Sequence, residues 1–195
     1  HAPRLQLSKT HDVYSMDFLG QGKSWPTHAP SRQDGLCYSV DMWTEQVHAF
    51  IERVIGEPAY VAGNSLGGFI GANLAAKHPN SILGLALLNA TPFWAFRQPW
   101  LRWDGILPAP EGLFRFGAWY FDRMRNPRTV RSMLGAVYSN PEAIGDEVIS
   151  EIIAATQRGP SNHAYGVGGH EAFTSIIFSP KVMQKFKEAP LKNNT

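Results

Sequence analysis

Apolar residues change their rhythm along this chain, and each change predicts an element. Residues 12–17, Asp12-Val13-Tyr14-Ser15-Met16-Asp17, read as a buried strand, and residues 18–38, rich in Gly, Pro and Ser, as a loop. From Asp41 the pattern turns helical, with Trp43, Val47, Phe50, Ile51 and Val54 recurring on one face. Ser39 or Asp41 can cap its start, and Gly56 and Pro58 stop it. Residues 59–63 predict the next strand and 66–77 the next helix, ended by His78-Pro79. Residues 82–89 are apolar without alternation, as expected of a central parallel strand covered on both faces. The order β-α-β-α-β predicts an α/β fold with a doubly wound, mainly parallel sheet.

After Ala90 the pattern changes. Phe93, Trp94, Phe96, Trp100, Trp103, Phe114, Phe116, Trp119, Tyr120 and Phe121 crowd one stretch, interleaved with arginines from Arg97 to Arg131. Asn126-Pro127 is a helix start with proline at the first helical position, followed by Val130, Leu134 and Val137. Asn140-Pro141 repeats the signal, with Ile144, Val148, Ile149, Ile152 and Ile153 on the expected buried face. Thr174 to Phe178 reads as helical, and Ser179-Pro180 starts another helix. A helical block inserted after the third strand predicts a cap. The expected organisation is therefore a partial core over 1–91, a helical cap over 92–180, and a return towards the core over 181–195. Three compatible readings stand for the aromatic and arginine block. They are cap packing with rings inward and arginines solvated, an apolar pocket for a large flat or long-chain substrate, and a face resting on an anionic membrane.

Composition narrows the classes. The chain is long enough for one domain with a real core. A net charge of +2 is too small to argue for nucleic acid. A lone cysteine, Cys37, excludes an intramolecular disulfide framework and fits a reducing compartment as a small semi-buried side chain. No apolar run reaches transmembrane length, and no targeting peptide is visible. The first residue is His1 and not Met, so a processed, trimmed or partial chain is expected.

The chemistry concentrates at Gly63-Asn64-Ser65-Leu66-Gly67. A G-x-S-x-G pentapeptide alone arises by chance in roughly one chain of this length in twenty. Here it sits between a strand-like run and a small-residue helix, which is the setting of the nucleophile elbow of α/β-hydrolases. Such a turn holds its serine in a strained conformation with the hydroxyl pushed towards substrate. Gly63 and Gly67 are expected to flank it because a Cβ at either would collide across the turn. Upstream, Asp17-Phe18-Leu19-Gly20-Gln21-Gly22-Lys23-Ser24 forms a D-x-x-G-x-G-x-S turn that also recurs in α/β-hydrolases.

Beyond the elbow, the sequence resembles the plant and algal pheophytinases and chlorophyll dephytylases, which are plastid α/β-hydrolases. The matching segments are 17–22, Tyr38-Ser39-Val40-Asp41, Val54-Ile55-Gly56-Glu57-Pro58, 63–68 and Leu87-Leu88-Asn89-Ala90-Thr91-Pro92-Phe93-Trp94. The last is the most specific, since it lies outside the generic hydrolase signature. Similarity is strongest over 12–96 and looser through the cap, where 172–178 looks like the end of that family's cap. The resemblance implies hydrolysis of the phytyl ester of pheophytin in a chloroplast, with no cofactor and no metal. It implies Ser65 as nucleophile and the Leu66 backbone N–H as an oxyanion donor, and Phe93 and Trp94 are candidates for substrate binding. Asn64 and Gly68 match the family's elbow without an assignable chemical role. The implied partner is a small apolar ester; peripheral membrane contact through the cap is expected from the aromatic and arginine block, and no nucleic acid from the small net charge.

The family's order of Ser, then acid, then His places the acid after the strand that follows the cap and the His after the last strand. The first and last strands of the fold, the triad acid and the His are therefore expected to lie outside this sequence, and the chain reads as part of a longer hydrolase. A serine without a positioned base is a poor nucleophile, so this part alone is expected to be inactive. His163 and His170 follow Ser65 in the right order but fall in a Gly-rich cap loop, where a solvated or capping role is the ordinary one. His78 ends the nucleophile's own helix and should point away, while His1, His11, His28 and His48 precede Ser65 without motif context. Asp104 and Asp122 are expected to be solvated or paired with nearby arginines. Two other readings stay open: a different hydrolase of the superfamily, such as a carbon–carbon bond hydrolase or general esterase, and a non-catalytic binding module.

Overall fold

The computed structural model describes residues 6–26, 38–91, 111–140 and 144–156. Helix α1, Val40–Phe50, starts where a polar side chain can satisfy its first amides: Ser39 Oγ accepts from the Met42 N–H at 3.1 Å. Of the two caps the sequence offers, Ser39 is the one used. The helix widens into a π turn over Ile51–Ile55 and closes at Gly56, whose φ of 81° lets its N–H reach the Ile51 carbonyl at 2.8 Å. Trp43 and Ile51 are buried as the periodicity predicts, but Val54 is exposed. A π turn adds a residue to the turn and rotates the side chains beyond it out of the 3.6 phase.

Strand β1, Ala59–Asn64, leads through helix α2, Leu66–Lys77, and a short 3₁₀ turn at Pro79–Ser81 into β2, Ile82–Leu88. The strands pair in parallel with Ala62 opposite Ala86 and Asn64 opposite Leu88, so the unit is a β-α-β crossover. Small residues bring α2 down onto the strands: a Cβ on Gly71 would lie 2.8 Å from Leu85 Cδ1. On its other side α2 meets α1. Buried Asn73 donates from Nδ2 to Thr44 Oγ1 at 2.8 Å, and Thr44 donates to the Val40 carbonyl at 2.7 Å. Two buried polar side chains thus satisfy one another in the helix–helix contact. Tyr38, Val40, Trp43, Phe69 and Ile70 form the core of this half.

Two expectations are corrected here. Residues 12–17 are not a strand. A strand exists by pairing, and among the described residues no backbone ladder reaches this segment. Instead its end docks on α1 through side chains. Gln46 donates to the Asp17 carbonyl and accepts from the Leu19 N–H, and Trp43 Nε1 donates to the Leu19 carbonyl at 2.9 Å. In the following turn Asp17 Oδ2 accepts from the Lys23 N–H at 2.9 Å. Nor is β2 covered on both faces, since Leu83, Leu87 and Leu88 are exposed. Among the described residues α2 meets the strand pair at Val61 and Leu85, and exposed residues occur on both faces of β2, at Ala86 and Leu88 as well as at Leu87.

The helical block holds α3, Glu111–Met124, α4, Pro127–Val137, and α5, Asp146–Thr156. Asn126 caps α4 as predicted, its side chain accepting from the Arg128 N–H at 3.0 Å with Pro127 at the first position. Helix α5 begins at Asp146, later than Asn140-Pro141 suggests. Buried Ile144 precedes it, and Val130, Ile144 and Ile149 form the local core. Leu134, Ile152 and Ile153 pack around that cluster, whereas Val137 and Val148 are exposed. Arg131 holds α4 to α5 by donating to the Ile144 carbonyl at 3.0 Å and pairing with Asp146. The expectation of inward rings fails on α3, where Phe116, Trp119 and Tyr120 are all exposed. Among the described residues no helix is long and apolar enough to cross a membrane. The helices expected over 174–178 and from Ser179-Pro180 lie outside the described residues.

Candidate active site

Ser65 stands between the end of β1 and the first residue of α2, at φ 51° and ψ −118°. That conformation is disfavoured for an L-residue and costs on the order of 1–3 kcal/mol, so the surroundings must hold it. They do so through the backbone. The Ser65 N–H donates to the Leu88 carbonyl at 3.1 Å, and the Ser65 carbonyl accepts from the Phe69 N–H at 3.2 Å and the Thr91 N–H at 3.0 Å. The turn is thereby tied to its helix and to the end of β2. Asn89, at φ 45°, makes the matching sharp exit from β2.

The glycine requirement is only half as expected. A Cβ on Gly63 would overlap the Gly67 carbonyl, and one on Gly68 would lie 2.6 Å from Ala90 Cβ and 2.9 Å from the Gly63 carbonyl oxygen. A Cβ on Gly67 would meet nothing within 4 Å. The tight approaches are thus made by Gly63 and Gly68, because Gly67 lies in the first turn of α2 and faces open space.

The Ser65 side chain is exposed, and its Oγ lies 3.0 Å from Thr91 Oγ1. Thr91 therefore holds Ser65 twice, by backbone and by hydroxyl. The sequence carries Thr91 inside the most family-specific segment, but nothing in spacing alone marks it as a neighbour of Ser65. Leu66 opens α2, so its N–H is among the four amides at a helix start that lack an intrahelical acceptor. Ser65 thus stands directly before the helix start, where free amides and the positive end of the helix dipole are found. Phe93, Trp94, Asp104, His163 and His170 lie outside the described residues.

The described histidines are engaged elsewhere. His78 ends α2, about 18 Å from Ser65 along a helix of 12 residues at 1.5 Å per residue. Its Nε2 lies 3.1 Å from Glu45 Oε2, and its ring stacks on His48 at 3.7 Å. His48 Nδ1 in turn lies 2.9 Å from Ser81 Oγ, and Lys77 pairs with Asp41 at 2.5 Å. Desolvation pushes the Glu45 carboxyl up, but His78 and Lys77 outweigh it and hold the group below its ordinary 4.5. This cluster joins α1 to the far end of α2 and has no part in the elbow. Asp122 pairs with Arg125 at 2.7 Å, as its setting among arginines suggests. Among the described residues no group of three or more His, Cys, Asp or Glu could hold a metal ion.

A serine on a strained strand-to-helix turn has the geometry described for the nucleophile elbow of α/β-hydrolases. Residues 2–117 match the family model described as alpha/beta hydrolase fold, and the chain belongs to that family. It is 35% identical over 216 aligned residues, 94% of this chain, to "Pheophytinase, chloroplastic" of Arabidopsis thaliana, of which the match covers 43%. It is also 31% identical over 85 residues, 44% of this chain, to "2-hydroxymuconate semialdehyde hydrolase" of Pseudomonas sp. (strain CF600), of which the match covers 28%. The chain thus spans less than half the length of these curated relatives.

Proposed function

We propose that this chain carries the nucleophile of a serine ester hydrolase that cleaves the phytyl ester of pheophytin, releasing pheophorbide and phytol, in a chloroplast. The observation that carries the chemistry is Ser65 held in its strained conformation at the head of α2. The substrate and compartment rest on likeness to the chloroplastic pheophytinase over nearly the whole chain. In this reading Ser65 Oγ attacks the ester carbonyl while a base from outside the described residues takes its proton. The carbonyl oxygen becomes an oxyanion that the Leu66 N–H stabilises, and losing one such donor typically costs about 100- to 1,000-fold in rate. Phytol leaves with a proton, and water then releases the acid from Ser65. The Thr91 hydroxyl keeps Ser65 Oγ in place between turnovers. Residues 92–180 act as the cap over this site, with Phe93 and Trp94 against the substrate.

A second reading has a specific observation behind it. The likeness to the 2-hydroxymuconate semialdehyde hydrolase supports a different hydrolase of the family, such as a carbon–carbon bond hydrolase. The test is phytol release from pheophytin and from chlorophyll by the full-length protein beside Ser65→Ala. Release that depends on Ser65 supports the dephytylase reading. Absence of release from both, in a protein that still hydrolyses another ester or a ring-cleavage product, overturns it in favour of a different substrate.

A further inference from the structure

Helix α3 is built inside out for a soluble surface. Arg115, Phe116, Trp119, Tyr120 and Arg123 follow one another at i, i+1, i+4, i+5 and i+8, which places them on one side of an α-helix. All five are exposed, the rings to 59%, 53% and 44% of their surface. The opposite side carries buried Gly117 and half-buried Phe121 and Met124. The exposed rings are ordered against one another. Phe116 lies 5.8 Å from Trp119 and 6.3 Å from Tyr120 between centroids, and the Arg123 guanidinium sits 5.1 Å over the Trp119 ring.

Large rings left in water at this density mark a surface that something covers. Charge identifies the kind of cover. Among the described side chains of α3 the acid is Asp122, and it is already paired with Arg125. Arg115 and Arg123 take part in no ion pair among the described residues, so the ringed face is positive although the whole chain carries only +2. Aromatic rings flanked by guanidinium groups match the headgroup zone of a bilayer, where a ring is half in hydrocarbon and an arginine meets phosphate. We propose that this face of α3 docks the protein on an anionic membrane surface, with Phe116, Trp119 and Tyr120 at the acyl boundary and Arg115 and Arg123 at the phosphates. The proposal does not rest on the hydrolase chemistry, so either can fail alone.

The test is co-sedimentation of the full chain with vesicles of phosphatidylcholine alone and of phosphatidylcholine mixed with phosphatidylglycerol. The expected result is binding to the mixed vesicles that weakens with salt. Arg115→Gln with Arg123→Gln should lower the partition coefficient about 30-fold, at roughly five-fold per arginine near an anionic surface. Phe116→Ser with Trp119→Ser should lower it by about ten-fold or more for each ring removed. Val54→Ser, which removes an exposed apolar side chain from another part of the molecule, should leave it unchanged. Far-ultraviolet circular dichroism should show that each variant keeps its helices. Failure to bind mixed vesicles overturns the proposal, as does binding that survives both double substitutions. A dimer that Phe116→Ser with Trp119→Ser dissociates, with no vesicle binding, would make the face an interface between copies instead.

Discussion

The half of the molecule around the elbow and the helical block put the same kind of residue to opposite uses. Around the elbow, Tyr38, Trp43 and Phe69 are sealed in the core. In the block, Val130, Ile144 and Ile149 form the core while Phe116, Trp119 and Tyr120 face out. The difference teaches where rigidity is needed. A serine in a disfavoured backbone conformation must be over-determined by its surroundings, and a core of packed rings provides that. A small aliphatic core suffices to hold helices whose outer face is their business.

The comparison breaks if the two cores prove equal. Trp43→Ala removes a fully buried tryptophan and the donor to the Leu19 carbonyl, and should cost about 3–5 kcal/mol in denaturant unfolding. Val130→Ala, in the block, should cost about 1–2 kcal/mol. Equal losses would mean that the elbow half is no better fixed than the block.

Next comes the backbone of the elbow itself. Gly63→Ala should cost about 2–3 kcal/mol, because its Cβ overlaps a backbone carbonyl that cannot yield without moving Ser65. Gly67→Ala, which meets open space at a helix start, should be neutral or stabilise by up to about 1 kcal/mol. Thermal unfolding of the pair checks this directly, and an equal loss at both would contradict the geometry.

A smaller effect sharpens the view of Ser65. Thr91→Val removes one hydroxyl contact but leaves the Thr91 N–H bond to the Ser65 carbonyl. In the full-length protein it should lower kcat about ten-fold with little change in KM, the scale of one hydrogen bond. Thr91→Ser should restore the rate. A Thr91→Val enzyme at full rate would show that the hydroxyl contact is idle.

The smallest effect lies at the far end of α2. The Glu45 carboxyl is held below 4.5 in the folded protein, so its contribution is fully present above pH 4.5. It is lost as pH falls through the lowered value. The group is half exposed, so the contribution stays within about 1 kcal/mol. Glu45→Gln should flatten this part of the stability curve below pH 4.5 and leave hydrolysis unchanged.

Much of the fold was legible because its signals are local. Residues 59–64 and 82–88 are strand-like runs with a small-residue helix between them, and the G-x-S-x-G spacing fixes the turn that joins β1 to α2. What failed depends on neighbours. Residues 12–17 have strand-like composition, yet pairing needs a partner backbone, and periodicity cannot say whether one is present. Val54 escapes the periodic pattern because a π turn shifts the phase without leaving a mark in the sequence. Gly67 invites a steric duty by its symmetry about Ser65, whereas the close approach belongs to Gly68. Thr91 lies 26 residues from Ser65, a distance over which only the fold can show a contact. For the aromatic and arginine block the sequence left inward and outward rings both open, since the pattern gives the spacing of a face and not which side it turns.

The central claim is that the strained serine is the nucleophile. The most direct measurement is reaction of the full-length protein with a fluorophosphonate probe, with the adduct mapped by mass spectrometry. The account predicts a single adduct on Ser65, absent from Ser65→Ala and slowed in Gly63→Ala. An adduct on another serine, or phytol release that survives Ser65→Ala, would contradict it.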